Sequence, residues 1–102
     1  MDVESIFRGR QNILRWKMLS NGREFDMTSN GVTSASIFLG AEELDSLDHP
    51  TKILVNGIYL SAQLGEILPE GLVDGCYEGR IVLYSSNFPS GKVWKELTFE
   101  VK

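Results

Sequence analysis

The sequence has little of the chemistry that catalytic and metal-binding sites use. Its 102 residues include one cysteine, Cys76, and one histidine, His49. A single cysteine excludes an intrachain disulfide and a cysteine-rich zinc site, and Asp45 and Asp48 lack the regular spacing of a calcium loop. A Cys–His nucleophile and base is not indicated, because Cys76 opens a strand-like pattern whereas His49 precedes Pro50 in a loop. We therefore expect no catalytic residue, no metal ligand and no cofactor-binding residue.

Long apolar runs and an excess of positive charge are also missing. No run approaches the roughly 20 apolar residues that a membrane-spanning helix needs. The first residues, MDVESIFRGRQ, lack the basic and apolar regions of a signal peptide. The net charge is −4, whereas proteins that bind nucleic acid are usually basic. We therefore expect a soluble protein with neither a membrane nor a nucleic acid as its partner.

The composition is that of one small globular domain. Apolar residues make up 42% and charged residues 24% of a chain whose length suits a single domain over residues 1–102. The charges are unevenly distributed, because residues 1–23 contain five cations whereas residues 24–48 contain six anions and no Lys or Arg. This split favours either head-to-tail association between copies or two solvated faces whose charges are neutralised within the fold.

Apolar and polar residues alternate along most of the chain, which is typical of strands. Asn21-Gly22 and Asn56-Gly57 lie between alternating segments and predict hairpin turns, because these residue types tolerate positive φ. The pattern predicts short strands over residues 12–19, 24–27, 32–39, 52–55, 58–64, 76–85 and 92–102. We expect an all-β fold, an antiparallel immunoglobulin-like β-sandwich of about seven strands, with a small barrel as the alternative.

Three segments between these strands do not alternate. Ala41–Leu44 is consistent with one helical turn inside the irregular residues 40–52. Residues 86–91 form a polar segment with Gly and Pro, which predicts a loop. Residues 65–75 contain several apolar side chains, so we expect this connection to lie across the end of the core.

Two aromatic residues are expected to serve the fold rather than a partner. Trp16 alternates with Leu14 and Met18 and is predicted to lie in the core. Tyr77 lies near the start of the longest predicted strand and resembles a tyrosine corner, whose hydroxyl bonds back to the preceding loop.

The last third of the chain carries the most distinctive series of motifs. In order they are LPEG at residues 68–71, GCYEGRIVLY at 75–84, NFPSGKVW at 87–94 and LTFEV at 97–101, and the start contains FRGRQN at 7–12. This series resembles small immunoglobulin-like structural proteins of tailed bacteriophages, and it is similar to the N-terminal domain of siphophage baseplate upper proteins. The chain departs from that pattern at Phe88, inserted between Asn87 and Pro89, and at Leu72–Asp74, which lengthen the connection.

The resemblance implies a virion structural protein without catalysis. Its expected place is the tail, the baseplate or the head–tail region, and its expected partners are other virion structural proteins, present in multiple copies. A small sandwich can serve as a rigid adaptor, because its loops and edge strands bind neighbours while its core stays fixed. The sequence does not distinguish this role from that of a capsid decoration protein.

Five residues are candidates for contact with a partner protein. Trp94 either covers one end of the core or is an exposed aromatic anchor, and Phe88 either packs its loop or contacts a neighbour. Pro89 belongs to the same predicted loop. Arg8 and Arg10 are either solvated and paired locally or form a subunit contact.

The alternative from another functional class is a module that binds carbohydrate or a cell-surface protein. Sugar-binding sandwiches usually expose two or three coplanar aromatic side chains, for which Tyr59, Tyr84, Phe88 and Trp94 are the candidates here. An enzyme would have to use carboxylates alone, without a recognisable pair.

Overall fold

The computed structural model describes residues 2–102 and consists of strands joined by short connections. Its helical element is a single 3-10 turn, Leu64–Glu66, and no helix in the described chain is long and apolar enough to cross a membrane. The all-β prediction is confirmed, but the expected number of about seven strands is wrong, because residues 2–102 form ten. The strands are β1 (Val3–Ile6), β2 (Leu14–Lys17), β3 (Leu19–Ser20), β4 (Arg23–Glu24), β5 (Val32–Leu39), β6 (Glu42–Asp45), β7 (Ile53–Asn56), β8 (Tyr59–Ala62), β9 (Gly75–Ser85) and β10 (Phe88–Val101).

The strands form two larger sheets and one small hairpin. A five-stranded sheet has the order β1-β10-β9-β5-β6, a three-stranded sheet has the order β2-β8-β7, and β3 pairs with β4. The described pairs are antiparallel except one, because β1 runs parallel to β10 with Ile6 opposite Val101. The sequence did not predict β1, because its residues VESI do not alternate between apolar and polar.

One core lies between the two larger sheets. Trp16 of β2 meets Phe99 of β10 edge-on, with ring centroids 6.2 Å apart and ring planes at 79°. Trp16 is 5% exposed, which confirms its predicted place in the core. The fully buried side chains come from both sheets and their connections: Ile6, Met18, Met27, Ile37, Leu39, Ile53, Leu60, Leu64, Ile81, Leu83, Phe99 and Val101.

The predicted hairpin at Asn21-Gly22 is confirmed. Both residues have positive φ, at 54° and 79°, and they form the two-residue connection between β3 and β4. This is the backbone that a type I′ turn requires. Gly57 also has positive φ, at 62°, but there the connection between β7 and β8 is Gly57-Ile58.

The helical turn expected at Ala41–Leu44 is wrong. Residues Glu42–Asp45 form β6, which pairs with β5 through a two-residue turn at Gly40-Ala41. Gly40 has φ of 60°, so a glycine supplies the positive φ at the first position of the turn, as in type II′ hairpins. Tertiary pairing with β5 therefore overrides the weak helical preference of two glutamates.

The polar loop expected at residues 86–91 is also wrong. The turn consists of Ser86 and Asn87, and β10 begins at Phe88 opposite Ser85. The ladder then shifts register before it resumes at Lys92. The Pro and Gly of this segment lie between those two pairs, where they interrupt no ladder hydrogen bond.

The connection before β9 closes one end of the core, as predicted. Ile67, Leu68 and Leu72 pack against the buried cluster. The Tyr77 hydroxyl donates a hydrogen bond of 2.5 Å to the carbonyl oxygen of Val73, which confirms the predicted bond from this tyrosine to the preceding loop.

A side chain covers the outer edge of β1. The Asn12 amide nitrogen donates to the Ser5 carbonyl oxygen at 3.1 Å, and the Asn12 amide oxygen accepts from the Phe7 N–H at 3.4 Å. The backbone groups of Ile6 face β10, where the Ile6 carbonyl oxygen accepts from the Lys102 N–H. Those of its neighbours Ser5 and Phe7 face away from β10. Asn12 therefore takes the position that a further strand would occupy.

Candidate functional site

The five predicted contact residues lie in two groups at opposite ends of β10. Arg8 and Arg10 belong to the turn after β1, whose backbone meets the end of β10. Phe88 and Pro89 are the first residues of β10, and Trp94 follows on the same strand. The structure therefore does not bring the five residues together at one site.

Arg8 is held by partners within the chain. Its guanidinium donates to the carbonyl oxygens of Pro69 and Leu72 and lies 3.4 Å from an Asp74 carboxylate oxygen. These bonds tie the connection before β9 to the turn after β1. By contrast, no ion pair or hydrogen bond holds the Arg10 side chain within residues 2–102, and Arg10 is exposed. A contact role is left open for Arg10, whereas Arg8 serves the fold.

Trp94, Phe25 and Phe88 form an aromatic cluster at one end of the core. The Trp94 ring centroid lies 4.4 Å from that of Phe25 and 6.3 Å from that of Phe88. The Trp94 indole N–H donates to the Leu19 carbonyl oxygen at 2.9 Å, and the Lys92 ammonium lies 5.2 Å from the Trp94 ring centroid. All three rings pack against the buried core. Trp94 thus covers the core end, one of its two expected roles, and Phe88 packs inward beside it.

Pro89 lies instead in an outer groove of about 550 Å³ on the five-stranded sheet. The most exposed apolar side chain in it is Leu47, at 76%. Sequence reasoning missed Leu47, although an apolar residue within a polar turn was a usable signal. The groove is lined by Thr33, Ser34, Ser36, Glu43, Asp45, Leu47, Tyr84, Ser85, Ser86 and Pro89.

The carboxylates beside this outer groove are fixed by hydrogen bonds. The Ser36 hydroxyl, in a residue only 1% exposed, donates to Glu43 Oε2 at 2.7 Å. Asp45 Oδ1 accepts from the Asp48 N–H at 2.8 Å. Both acids come from β6, so the groove has one anionic wall and one wall formed by Pro89 and its neighbours.

The acids of β6 lie at the opposite edge of the molecule from the cations of the turn after β1 and of β2. Acidic β6 is one edge of the five-stranded sheet, and β1, which precedes the turn with Arg8 and Arg10, is the other. Basic β2, with Arg15 and Lys17, lies on the β1 side because its Trp16 contacts β10, whereas β7 contacts β5. The acids of β6 are therefore separated in space from the cations of β2 and of the turn after β1, whereas Glu24, also in the acidic part, pairs with Lys17.

Two exposed ion pairs shift the pKa of one of their members. The Lys95 ammonium lies 2.7 Å from Asp2 Oδ2, and this hydrogen bond and its charge lower the pKa of Asp2. The Lys17 ammonium lies 2.9 Å from Glu24 Oε2, and this hydrogen bond and its charge raise the pKa of Lys17. Both pairs favour the charged forms that the groups already have at neutral pH.

The cysteine and the histidine lie in different parts of the fold. Cys76 is exposed on β9, opposite Glu100 of β10. His49 lies in the turn after β6, and its backbone N–H donates to the Asp45 carbonyl oxygen. Within residues 2–102, no group of three or more His, Cys, Asp or Glu side chains is arranged to hold a metal ion.

The aromatic residues considered for sugar binding do not share a surface. Tyr59 lies on the three-stranded sheet, where the Arg15 guanidinium carbon is 4.0 Å from the centroid of the Tyr59 ring. Tyr84 lines the outer groove of the other sheet, and Phe88 and Trp94 pack against the core. The coplanar platform typical of sugar-binding sandwiches is not formed by these four side chains.

Comparisons of the chain with protein-family models, with curated proteins and with solved structures found no match. Its function is therefore inferred from the sequence motifs and from the residues and contacts of the chain itself.

Proposed function

We propose that the chain is a non-enzymatic structural or adaptor protein of a tailed-phage virion. It assembles in the tail, baseplate or head–tail region with other virion structural proteins through loop and edge-strand contacts. The sequence series from LPEG to LTFEV supports the phage assignment. An immunoglobulin-like sandwich is the fold we assign within this proposal, because two sheets enclose one core and Tyr77 bonds to the preceding loop.

The observation that carries the adaptor role is the presence of two unlike exposed surfaces on one firmly packed body. The turn after β1 presents Phe7 and Arg10, and the far edge presents Leu47 beside Glu43 and Asp45. An adaptor needs surfaces that face different neighbours while the body between them stays rigid. Here the body has a single core to which both sheets contribute.

The alternative of a capsid decoration protein shares this physical logic and differs only in the neighbour. The alternative of a carbohydrate-binding module is less well supported, because its candidate aromatic residues are divided among three places. A glycan array with the purified chain separates the two classes. Binding of the folded chain to one class of glycan would favour the carbohydrate-binding module, and an array without hits would count against it.

The direct test is whether the chain is part of a particle. Antibodies raised against the purified chain are used to follow it through density-gradient purification of particles from producing cells. We expect the chain to sediment with the particles in many copies and to remain after repeated washing at physiological salt, while an abundant soluble host protein stays behind. A chain found only in the soluble fractions would overturn the proposal. Immunogold labelling then distinguishes tail, baseplate, head–tail junction and capsid surface.

A further inference from the structure

The turn Phe7–Arg10, named here the basic turn, is a firm protrusion rather than a loose loop. Its backbone is held by bonds from the Arg8 N–H to the Lys102 carbonyl oxygen at 3.0 Å and from the Gly9 N–H to the Gly65 carbonyl oxygen at 2.8 Å. The Phe7 side chain is 42% exposed, and the Lys102 ammonium lies 5.7 Å from its ring centroid. Arg8 and Lys102 are paired with the carboxylates of Asp74 and Glu100, so the unpaired cation that the basic turn presents together with Phe7 is Arg10.

The outer groove has the complementary character. Leu47, Tyr84 and Pro89 supply apolar surface, and Glu43 and Asp45 supply negative charge along one wall. An aromatic side chain with an unpaired cation in the same turn fits such a groove, because the ring covers the apolar surface while the cation meets the carboxylates. The volume of about 550 Å³ is ample for one aromatic side chain and its flanking backbone.

We propose that the occupant of the outer groove is the basic turn of a second copy of this chain, with Phe7 against Leu47 and Tyr84 and Arg10 beside the β6 carboxylates. This inference rests on the proposed function, because it supplies the contact through which copies of the adaptor join. The charge complementarity lies within one sequence, so no other partner is needed to explain it.

The positions of the two surfaces determine what kind of assembly results. The basic turn lies beyond the end of β10 on the β1 edge, whereas the outer groove lies near the start of β10 towards the β6 edge. The two surfaces are therefore diagonally opposite on the five-stranded sheet. When the basic turn of one copy binds the outer groove of another, the pair still has one free basic turn and one free outer groove. Association therefore continues to a closed ring or an open row rather than stopping at a two-fold dimer.

The test uses two variants at exposed positions whose side chains have no hydrogen bond or ion pair within residues 2–102. Arg10→Glu reverses the charge of the basic turn, and Leu47→Arg puts a cation into the outer groove. Matched controls are Arg23→Glu on β4 and Leu54→Arg on β7, which make the same changes on other exposed surfaces. Circular dichroism and a thermal unfolding curve check that each variant is folded.

Sedimentation velocity over a concentration series into the millimolar range measures association. We expect the wild-type chain to form species larger than a dimer and to dissociate as salt is added. Each test variant alone should associate at least about tenfold more weakly, while the controls behave like the wild type. An equimolar mixture of Arg10→Glu and Leu47→Arg should associate more strongly than either variant alone, because the intact groove of the first variant can bind the intact turn of the second.

A wild-type chain that stays monomeric throughout would overturn the inference, as would association that neither test variant weakens or that ends at a two-fold dimer. These failures are distinguishable from failure of the proposed function. A monomeric chain that is nevertheless found in particles overturns only the self-association, and loss of Leu47→Arg from such particles would assign the groove to another virion protein. A chain that associates as expected but is absent from particles overturns only the virion role.

Discussion

The start of β10 lies between two apolar surfaces, of which one is covered by the rest of the chain and the other is exposed. Phe88 turns inward and joins Phe25 and Trp94 in the aromatic cluster, whereas its neighbour Pro89 lines the outer groove. The aromatic cluster is closed, because the β3–β4 hairpin contributes the Leu19 carbonyl that accepts from the Trp94 indole. The outer groove has no such cover among the described residues, and Leu47 beside it is largely exposed.

The difference shows that residue type does not by itself tell a core side chain from a contact side chain. Both places contain aromatic side chains, and residues of β10 belong to both. What separates them is whether another segment of the chain covers the apolar surface and satisfies its polar groups. Substitutions in the aromatic cluster should therefore change stability, and substitutions in the outer groove should change association.

The largest expected effect is at Trp94. Replacing Trp94 with Ala removes the ring contacts to Phe25 and Phe88 together with the bond to the Leu19 carbonyl, so the free energy of unfolding should fall by about 2–4 kcal/mol. Urea denaturation followed by circular dichroism measures this change. Trp94→Phe keeps an aromatic ring and should lose only about 1 kcal/mol. Equal stability of the wild type and Trp94→Ala would show that the cluster does not close the core.

The next effect compares two glycines with positive φ. A Cβ added at Gly91 would lie 2.6 Å from the Tyr84 ring and 2.7 Å from Val82, whereas one added at Gly22 meets nothing within 4 Å. Both Gly→Ala variants carry backbone strain of about 1–2 kcal/mol, and the crowding adds about 1–3 kcal/mol at Gly91 alone.

Urea denaturation of Gly91→Ala and Gly22→Ala, measured in parallel, isolates the crowding as the difference between them. We expect Gly91→Ala to be the less stable of the two. If the two variants were equally stable, Tyr84 would be free to move away, and the wall of the outer groove that it forms would not be fixed.

A smaller effect is expected in the outer groove itself. Leu47→Ser should change the free energy of unfolding by no more than about 0.5 kcal/mol, because the side chain is already 76% exposed. The same urea titration used for Trp94→Ala measures it. A loss comparable to that of Trp94→Ala would mean that Leu47 packs on the core and is not available to a partner.

The smallest expected effect is a pH dependence at the ion pair between Asp2 and Lys95. Lys95 lowers the pKa of Asp2 in the fold, so this carboxylate stabilises the fold above its ordinary pKa of 3.8. That contribution is lost as the pH falls through the lower folded pKa. Stability measured from about pH 5 to pH 2 should therefore fall less steeply in Asp2→Asn than in the wild type.

The Trp94→Ala variant is the matched control for this pH series. Its destabilisation should be the same at each pH, since the aromatic cluster is held by rings and by a neutral indole N–H rather than by a titrating pair. Parallel pH curves for the wild type and Asp2→Asn would count against the Lys95–Asp2 pair in solution.

The sequence predicted the parts of the fold in which local and long-range preferences agree. The alternation in residues 76–85 corresponds to β9, and Asn21-Gly22 forms its hairpin because both residues take the backbone that the turn needs. It failed at β1 and β6, whose residues VESI and EELD do not alternate and which pair with β10 and β5. Strands of that kind have no period of their own to detect.

The contact surfaces were predictable only in part. The charge split was visible in the sequence, but its arrangement across the five-stranded sheet depends on the strand order, which periodicity does not determine. Arg8 and Arg10 look alike in the sequence, yet Arg8 bonds to the connection around Leu72 while Arg10 does not. Leu47 was overlooked because a single exposed leucine is common on protein surfaces.

The side-chain amide of Asn12 makes the two edges of the five-stranded sheet different. It bonds to the Ser5 carbonyl oxygen and the Phe7 N–H, so these backbone groups are not free to pair with a strand of another molecule. Strand-by-strand extension, the route by which sheets become fibrils, is blocked at this edge. The β6 edge has no such side chain across it among the described residues, but its own carboxylates repel a second β6. At both edges of the five-stranded sheet, side chains of the chain itself therefore oppose pairing with the sheet of another copy.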